Sequence, residues 1–352
     1  MKAVVFAGKG KVAVEDVPQP EIQDPKDAIV QVKLSAICGS DLHVLDGKTP
    51  GMRKGGVIGH EFVGRISELG KDVAKHWEDT RVLGSFLIAC GGCAACTAKR
   101  YNFCESRRAL GLGELQGDLD GAQAEYVRVP NADTNLKTLS GALSGLTDEQ
   151  AIFGGDILAT GFHAAAASDI GPDDIVVVVG AGPVGLMCAG AAQRMGADNV
   201  LILDTDEGRV RFGAEQLGFD GIVVGDDDVA VAVAGATGGR MATVAMDAVG
   251  AVPAFKTAIR TLTPAGGRAT VVGVYGAERY ELAMGRAWLS GLRIQFTGMA
   301  NVQAHWDDAL FAVAKGEFEP QKIVTHRLEL DQAPAGYEAF ASREAMKVLL
   351  RP

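Results

Sequence analysis

Four of the six cysteines in this sequence lie within a fifteen-residue stretch, in the pattern C-x2-C-x2-C-x7-C. They are Cys90, Cys93, Cys96 and Cys104. Four thiolates this close match tetrahedral Zn²⁺, which tolerates a tight loop because the ion imposes no geometric preference of its own. Four unligated thiols and an iron–sulfur cluster are the alternatives. Four protein ligands leave no open position, so the predicted zinc site is structural.

A glycine-rich segment between two apolar runs has the spacing of a dinucleotide-binding turn. It reads Gly180-Ala181-Gly182-Pro183-Val184-Gly185, after Asp174 and the run of isoleucine and four valines at residues 175–179. Such an unbroken β-branched run suits a strand buried on both faces, as parallel sheets require. Gly180 permits the tight turn, Gly182 lets the backbone approach a pyrophosphate, and Gly185 lets the helix pack closely. The predicted helix N-terminus then offers free N–H groups to that phosphate.

Asp204 ends the next apolar run, 19 residues after Gly185. A carboxylate at this place can bind the ribose 2′-hydroxyl of NAD and would repel the 2′-phosphate of NADP. The following Thr205-Asp206-Glu207 adds negative charge where NADP would need Arg or Lys. The alternative is that Asp204 caps a helix. We therefore predict NAD as the cofactor.

Three further segments carry side chains that could ligate a metal or move a proton. They are CGSDLH at residues 38–43, GHEFVG at residues 59–64 and GDILATGFH at residues 155–163. Taken alone, Cys38 could be a small buried hydrophobe, His60 a core histidine and Asp156 a helix cap. Their occurrence together, beside the cysteine cluster and the glycine-rich turn, is a more specific pattern.

The composition excludes several classes of protein. With 352 residues and 47% hydrophobic residues the chain can form two domains with substantial cores. A net charge of −10 gives no basic face for nucleic acid or anionic lipid. The uncharged residues 175–192 do not fit a membrane helix, because their glycines and Pro183 would break it. The N-terminus lacks the apolar core of a signal peptide, so we expect a cytoplasmic protein whose cysteines are thiols or metal ligands.

The alternation of apolar and polar residues predicts two kinds of domain. Residues 1 to about 150 carry short segments typical of a β-rich domain: 2–7, 12–17, 28–36, 64–69, 81–84 and 124–129. From about residue 151, strands alternate with alanine-rich helices, as in a doubly wound parallel sheet, with later strands at 222–224, 243–246, 268–272 and 293–296. Beyond Gly298 we predict a helix at 306–314 and strands near Ile323–Val324 and at 346–350. The acidic triplet at residues 226–228 is interpreted as a solvated loop.

In order along nearly the whole chain, the motifs CGSDLH, GHEFVG, the four-cysteine segment, GDxxxTGFH and GAGPVG resemble those of the zinc-dependent medium-chain alcohol dehydrogenases. The resemblance implies an α/β protein. A GroES-like β-rich catalytic domain would comprise residues 1–155 and 299–352, with the structural zinc lobe at 90–104. A Rossmann domain with a doubly wound parallel sheet would comprise residues 156–298. The active site is expected in the cleft where the two domains meet.

The resemblance also implies a catalytic zinc. By resemblance its ligands are Cys38, His60 and Asp156; the third ligand is a cysteine in some members of the family and an aspartate in many bacterial ones. Three protein ligands leave one position open, where an alcohol oxygen can bind and have its pKa lowered before hydride leaves for the nicotinamide. Glu61 corresponds to a carboxylate that in the family can approach the zinc or replace its bound water.

The family moves the alcohol proton through a hydroxyl, the cofactor ribose and a histidine, and Ser40 and His43 occupy the matching positions. A turn hydroxyl and a surface histidine are the structural alternatives. Phe86 resembles a residue of the pocket wall, which predicts apolar walls around the substrate.

On the cofactor side, Arg209 is predicted to cover the adenosine ribose, with an exposed helix charge as the alternative. Gly273-Val274-Tyr275 resembles the backbone stretch that holds the nicotinamide carboxamide. Several remaining side chains are interpreted as structural or exposed: His76, His163, Met187, Cys188, His305 and His326.

These observations predict a two-zinc, NAD(H)-dependent dehydrogenase that interconverts primary or secondary alcohols with aldehydes or ketones. A specialised formaldehyde, threonine or polyol dehydrogenase of the same family is the alternative within the class, and a non-catalytic relative is the alternative outside it. The predicted partner is a small-molecule alcohol or carbonyl substrate, without nucleic acid or membrane. The resemblance implies a homotetramer or a homodimer.

Overall fold

A computed structural model describes residues 1–74, 77, 79–225, 228–276 and 278–352 of the chain. They form two compact units, one made of Met1–Ala159 and Asn301–Pro352 and the other of Thr160–Ala300. The catalytic and NAD-binding roles assigned to residues 1–155 with 299–352 and to 156–298 stay predictions. The predictions made for His76, Asp226 and Asp227 lie outside the described residues.

The strands are numbered in chain order. They are β1 (Lys2–Gly8), β2 (Lys11–Asp16), β3 (Ala28–Ile37), β4 (Glu61–Leu69), β5 (Arg81–Gly84), β6 (Leu87–Ile88), β7 (Arg108–Ala109), β8 (Tyr126–Val129), β9 (Leu136–Thr138), β10 (Ile175–Val179), β11 (Asn199–Asp204), β12 (Asp220–Val223), β13 (Val244–Asp247), β14 (Arg268–Val271), β15 (Arg293–Phe296), β16 (His326–Glu329) and β17 (Val348–Arg351).

The α-helices are numbered in the same way. They are α1 (Gly39–Leu45), α2 (Ala94–Thr97), α3 (Ala132–Asn135), α4 (Asp148–Ala151), α5 (Ile157–Ala167), α6 (Pro183–Arg194), α7 (Glu207–Leu217), α8 (Val229–Ala236), α9 (Val252–Thr261), α10 (Met284–Ser290), α11 (Val302–Ala314) and α12 (Ala333–Ala341).

The first unit is built around a sheet with the strand order β16-β17-β3-β4-β5-β9, in which β8 also pairs with β3. The pairing of β3 with β4 is antiparallel and sets Ala36 opposite Glu61. On its other edge β3 pairs with β17, with Ile37 opposite Val348. Apolar side chains from β3, β4 and β5 fill one core beneath these strands. The register therefore places the end of β3, the start of β4 and the start of β17 side by side.

The second unit contains a parallel sheet with the order β12-β11-β10-β13-β14-β15. Every residue of β10 is buried, which explains its run of valines, because a central parallel strand is covered on both faces. The chain crosses from β12 back to β13 on the other side of β10, the order of a dinucleotide-binding sheet. The predicted doubly wound parallel sheet is confirmed.

One predicted strand is wrong. Ile323 closes a 3-10 helix at Pro320–Ile323, and the strand begins later, at His326. Pro320 favours the helical turn because its φ is fixed and it has no N–H to donate to a strand ladder. Ile323, the last residue of that turn, is fully buried, which explains its apolar side chain.

The uncharged residues 175–192 are divided between strand β10 and helix α6. Within the described parts of the chain, no helix has both the length and the apolar character needed to cross a membrane. Asp228 is exposed and caps α8, its side chain accepting a hydrogen bond from the Ala230 N–H at 3.0 Å.

Candidate functional site

Three chain segments bring a thiol, an imidazole and a carboxylate together in the first unit. Cys38 lies between β3 and α1, His60 immediately precedes β4, and Asp156 immediately precedes α5. The Asp156 Oδ2 atom lies 3.3 Å from the Cys38 Sγ atom and 3.3 Å from the His60 Nε2 atom. All three residues are buried, with 7%, 2% and 7% exposure for Cys38, His60 and Asp156. The structure thus brings together the three residues to which the resemblance assigns a catalytic zinc.

These distances fit one tetrahedral zinc ion. Zinc binds thiolate sulfur at about 2.3 Å and imidazole nitrogen or carboxylate oxygen at about 2.0–2.2 Å, so ligand atoms on one ion lie roughly 3.4–3.6 Å apart. The two separations of 3.3 Å are close to that value. Sulfur, nitrogen and oxygen are all donors that zinc accepts in proteins. The trio can therefore hold a zinc ion and leave a fourth position to another group.

Asp41 contacts two of these three residues. Its Oδ1 atom lies 3.1 Å from His60 Nδ1, which leaves Nε2 to face Asp156. Its Oδ2 atom accepts hydrogen bonds from the Cys38 backbone N–H at 2.9 Å and from Gln123 Nε2 at 3.2 Å. A carboxylate behind a metal-binding histidine fixes the tautomer and orientation of the ring. Asp41 belongs to the quoted CGSDLH motif, but sequence reasoning gave it no role.

The buried trio carries negative groups that a cation would stabilise. Burial, and then the Asp156 carboxylate, raise the pKa of the Cys38 thiol to about 11. Burial lowers the pKa of His60, but the carboxylates of Asp41 and Asp156 outweigh it and raise that pKa well above its usual value. Burial raises the pKa of Asp156, but the His60 imidazole outweighs it and the net pKa is lowered. A divalent cation would favour the thiolate and carboxylate together.

Glu61 lies beside the trio and forms a buried ion pair. One carboxylate oxygen, Oε1, accepts a hydrogen bond from Lys347 Nζ at 2.6 Å, and both side chains are fully buried. Lys347 Nζ also donates to the Ile37 carbonyl oxygen at 3.0 Å. Burial raises the pKa of Glu61 to about 7, against the opposing effect of the Lys347 ammonium. A Glu61 oxygen lies within 4.8 Å of the donor atoms of Cys38, His60 and Asp156, so Glu61 is close enough to compete for an ion.

The predicted relay and pocket residues lie near the same imidazole. The Ser40 hydroxyl is 3.1 Å from His60 Nε2. His43 is half-buried and follows Ser40 by three residues on α1, a spacing that puts both on one face of the helix. The Phe86 ring packs edge-on against the His60 ring, with centroids 6.0 Å apart. The structure therefore places Ser40 and Phe86 in contact with the candidate zinc site.

The four clustered cysteines form a second group of sulfur atoms. Among them, Cys90 Sγ lies 3.9 Å and Cys93 Sγ lies 3.6 Å from Cys96 Sγ. Four thiolates on one zinc are about 3.8 Å apart at a bond length of about 2.3 Å. Backbone N–H groups of Cys96 and Glu105 lower the pKa of the Cys93 thiol to about 6, which favours its thiolate. All four sulfur atoms lie within 4.8 Å of one another, which favours a single ion over a multi-iron cluster.

If the four thiolates hold a zinc ion, replacing Cys104 should remove it. Cys104 is fully buried, so we expect Cys104→Ser to lose one zinc and to lower the free energy of unfolding by roughly 3 kcal/mol or more, as mutations that remove a metal do. Elemental analysis and thermal unfolding measure the two effects. Cys188→Ala is the matched control, because it removes a buried thiol outside the cluster and should keep the zinc count. A Cys104→Ser protein with full zinc content would contradict the assignment.

The glycine-rich turn lies between β10 and α6. Gly180 has φ = +105°, a conformation that favours glycine, and a Cβ on Gly185 would lie 1.7 Å from the Gly180 carbonyl oxygen. Helix α6 begins with Pro183, directly after Gly182 as N-cap. A Cβ on Gly182 would meet only Arg209, at 3.5 Å from the guanidinium. The turn therefore leaves room at Gly182 for a phosphate near a helix N-terminus.

Asp204 ends β11 and contacts the glycine-rich turn directly. Its Oδ2 atom accepts a hydrogen bond from the Ala181 N–H at 2.8 Å, and its Oδ1 atom accepts one from the Asp206 N–H at 3.0 Å. The N-cap of α7 is Asp206, not Asp204. The structure thus removes the helix-cap alternative for Asp204 and places its half-buried carboxylate at the turn, together with Arg209.

The stretch Gly273-Val274-Tyr275 follows β14. The Tyr275 hydroxyl donates to Asp247 Oδ2 at 2.6 Å and lies 2.9 Å from the Ala251 carbonyl oxygen. Burial, and then this bond to Asp247, raise the pKa of the Tyr275 phenol. Val274 is 56% exposed. The side chain of Tyr275 therefore anchors the stretch to the end of β13.

The chain is similar over its whole length to known dehydrogenases. The alcohol dehydrogenase GroES-like domain model matches residues 24–138, and the zinc-binding dehydrogenase model matches residues 183–315. An alcohol dehydrogenase of Cupriavidus necator is 31% identical, with 100% of this chain and 99% of the relative covered. Zinc-type alcohol dehydrogenase B of Aspergillus flavus is 35% identical, covering 100% and 81%. This chain belongs to the zinc-type alcohol dehydrogenases.

A solved structure supports the same conclusion for the fold. Alcohol dehydrogenase TADH from Thermus sp. ATN1 is 40% identical and superposes with a TM-score of 0.92, covering 100% of this chain and 99% of that protein. The resemblance read from the motifs, the α/β fold of GroES-like and Rossmann type, and the assignment to the oxidoreductases are confirmed.

Sequence reasoning missed two charged residues of this zinc-type alcohol dehydrogenase, Asp41 and Lys347. The role of Asp41 could have been suspected from the sequence, because a metal-binding histidine usually has a carboxylate hydrogen-bonded to its second ring nitrogen. A weaker indication exists for Lys347, which is the single charged residue in the apolar run predicted as the last strand, residues 346–350. A charge in such a run needs a buried partner, but only the structure shows that the partner is Glu61.

Proposed function

We propose that this zinc-type alcohol dehydrogenase binds two zinc ions per chain and uses NAD(H) to interconvert a primary or secondary alcohol with its aldehyde or ketone. The observation that carries the proposal is the buried trio of Cys38, His60 and Asp156. The spacing of their donor atoms suits one zinc ion with one coordination position left open. The separate group of four cysteines accounts for the second ion.

The trio would hold the ion where a small alcohol can reach it. When bound, the zinc supplies the Lewis acidity that lowers the pKa of an alcohol hydroxyl toward neutrality. Asp41 orients the His60 ring through its contact with Nδ1. Phe86 is 8% exposed, and its ring covers the His60 ring edge-on, which helps to exclude water. Exclusion of water strengthens the electrostatic interactions within the site.

Ser40 and His43 would move the alcohol proton. The Ser40 hydroxyl lies 3.1 Å from His60 Nε2, the nitrogen that would face the metal, so it stands beside the reacting group. A hydroxyl can accept one proton while it donates its own. His43 lies one turn further along α1 and would pass the proton on to solvent. The cofactor ribose would complete the relay between them.

Ser40→Ala should slow turnover without loss of metal. We expect kcat to fall about 10²-fold, the lower end of the range for groups that transfer protons, because the alcohol loses its nearest proton acceptor. Steady-state kinetics and zinc analysis on the same sample separate the two effects. Ser144→Ala serves as the control, because it removes an exposed hydroxyl that donates to the nearby Gly141 carbonyl. An unchanged kcat would exclude Ser40 from the relay.

NAD(H) would bind the second unit at the glycine-rich turn. The pyrophosphate would lie at Gly182 and the start of α6, where backbone N–H groups and the helix dipole favour negative charge. Asp204 would bind the adenosine ribose, with Arg209 beside it. Gly273, Val274 and Tyr275 would hold the nicotinamide carboxamide through their backbone. Bound in this way, the nicotinamide would supply the hydride acceptor that oxidation of an alcohol to a carbonyl requires.

Rates on a panel of substrates test the proposal directly. Primary alcohols, secondary alcohols, polyols, threonine and formaldehyde are each assayed with NAD and with NADP. Turnover of simple alcohols with NAD supports the proposal, whereas strong preference for one of the last three substrates identifies a specialised dehydrogenase. Elemental analysis should find close to two zinc atoms per chain. One zinc per chain and no turnover would indicate a relative that keeps the fold without the chemistry.

The assembly and location of the protein are proposals of the same kind. A homodimer or homotetramer is supported by apolar side chains exposed near the edge strand β15 of the second unit. They are Met284, Trp288, Leu289 and Phe296, exposed by 72%, 81%, 79% and 66%. Exposed apolar groups at a sheet edge favour association. A cytoplasmic location remains a prediction.

A further inference from the structure

Asp247 lies at the end of β13 and contacts the loops that follow two neighbouring strands. Its Oδ1 atom accepts hydrogen bonds from the N–H groups of Val249 and Gly250 at 2.9 and 3.2 Å. Its backbone carbonyl oxygen accepts one from the Gly273 N–H at 2.9 Å, just after β14. Its Oδ2 atom accepts one from the Tyr275 hydroxyl at 2.6 Å. This residue is 1% exposed and thus fixes the loop after β13 and, through Gly273 and Tyr275, both ends of the stretch after β14.

These two loops lie at the carboxyl edge of the parallel sheet, beside the glycine-rich turn. The turn follows β10, and the strand order places β11 on one side of β10 and β13 with β14 on the other. Dinucleotides bind across the point where the strand order of such a sheet reverses. Asp204, at the end of β11, is predicted to bind the adenosine ribose. The loops after β13 and β14 are therefore left for the nicotinamide half of the cofactor.

The backbone that follows β14 offers hydrogen-bond acceptors. Within the part of the chain that the structure describes, the carbonyl oxygens of Val272, Gly273 and Val274 accept no hydrogen bond. A carboxamide has an NH₂ group that needs such acceptors. The two loops also pack backbone to backbone, since a Cβ on Gly250 would lie 2.3 Å from the Val274 carbonyl oxygen. Because Val274 is 56% exposed, Tyr275 is the side chain that fastens this stretch.

We propose that Tyr275 and Asp247 are positioning residues, whose hydrogen bond holds the backbone after β14 in the arrangement that binds the carboxamide of the nicotinamide. The inference rests on the proposed function, because it requires NAD(H) at the glycine-rich turn. Without the hydroxyl, the stretch would keep its bond at Gly273 but lose the one at Tyr275. Its backbone would then sample other arrangements, and selecting one of them on binding lowers the apparent affinity. The adenosine half would bind as before.

Binding to the zinc-loaded protein tests the proposal without turnover. Titration calorimetry compares NADH with ADP-ribose, which lacks the nicotinamide, on the wild type and on Tyr275→Phe. We expect Tyr275→Phe to raise the Kd of NADH about tenfold, the factor that corresponds to one lost hydrogen bond to a charged group. The Kd of ADP-ribose should stay at the wild-type level.

A third ligand tests which group of the nicotinamide is bound. The acetylpyridine analogue of NADH carries an acetyl group in place of the carboxamide, so it has no N–H to donate to the backbone carbonyl oxygens. Tyr275→Phe should therefore raise the Kd of this analogue less than that of NADH. Tyr280→Phe is the matched control: it removes a hydroxyl from a tyrosine of the same unit that is 38% exposed, and it should leave each Kd unchanged.

The outcomes separate this inference from the proposed function. If the wild type binds neither NADH nor ADP-ribose, the proposed function fails at its cofactor. If the wild type binds both and Tyr275→Phe binds NADH equally well, only the role of Tyr275 and Asp247 fails. A Tyr275→Phe protein that loses affinity for both ligands to the same extent also overturns the inference, because damage to the second unit as a whole would explain that result.

Discussion

Asp156→Ala should abolish turnover while the protein stays folded. We expect kcat/KM to fall by at least about 10³-fold, or roughly 4 kcal/mol, because the ion that activates the alcohol loses one of three protein ligands. Asp156 Oδ2 is 3.3 Å from both Cys38 Sγ and His60 Nε2, so the loss affects the whole trio. Zinc analysis should show a fall from about two ions per chain to about one, with the four-cysteine site retained.

The control for this variant is Asp46→Asn, which removes an exposed carboxylate just after α1 in the same unit. It should leave kcat/KM and zinc content at the wild-type level. Circular dichroism and thermal unfolding confirm that the Asp156→Ala protein is folded. Undiminished activity, or two retained zinc ions, would reject Asp156 as a ligand.

The second large effect concerns the choice of cofactor. We expect kcat/KM with NAD to exceed that with NADP by at least about 100-fold, because unit charges about 5 Å apart at an effective dielectric constant of about 20 repel by roughly 3 kcal/mol. Asp204 supplies that charge at the end of β11. In Asp204→Asn the preference should shrink to about tenfold or less, since the charge is gone and the shape is kept.

Asparagine is the informative substitution because Asp204 has a structural task as well. Its carboxylate accepts hydrogen bonds from the N–H groups of Ala181 and Asp206, and an amide oxygen can keep one of these bonds. Glu215→Gln is the control for a general change of charge, since Glu215 is exposed and lies further along the same helix, α7. A wild-type enzyme that prefers NADP would contradict the role of Asp204 outright.

Features that depend on neighbouring residues were predictable from the sequence. The valine run of β10 predicted a strand covered on both faces, and the parallel sheet has β10 at its centre. The glycine spacing predicted a turn in which Gly185 faces the Gly180 carbonyl, and a Cβ there would lie 1.7 Å from it. Such constraints act over a few bonds, so sterics decide them before the rest of the chain is placed.

Features that depend on packing were harder to predict. A 3-10 turn stands where a strand was expected near Ile323–Val324, since burial of Ile323 within the first unit, and not strand pairing, explains its apolar side chain. The link between Asp41 and His60 crosses from α1 to the start of β4. Neither follows from local propensity, because tertiary contacts override it.

The sequence by itself determined the parallel sheet, the glycine-rich turn and the grouping of four cysteines, since each depends on the types and spacing of residues close together in the chain. Only the tertiary structure decided that Asp156 lies 3.3 Å from Cys38, 118 residues away, and that Lys347 pairs with Glu61, 286 residues away. For the pair of Lys347 and Glu61, the physical reason is the register of β17 on β3 and of β3 on β4, which sets distant segments side by side. That register follows from burying apolar faces of strands far apart in the chain, and no short stretch of residues contains it.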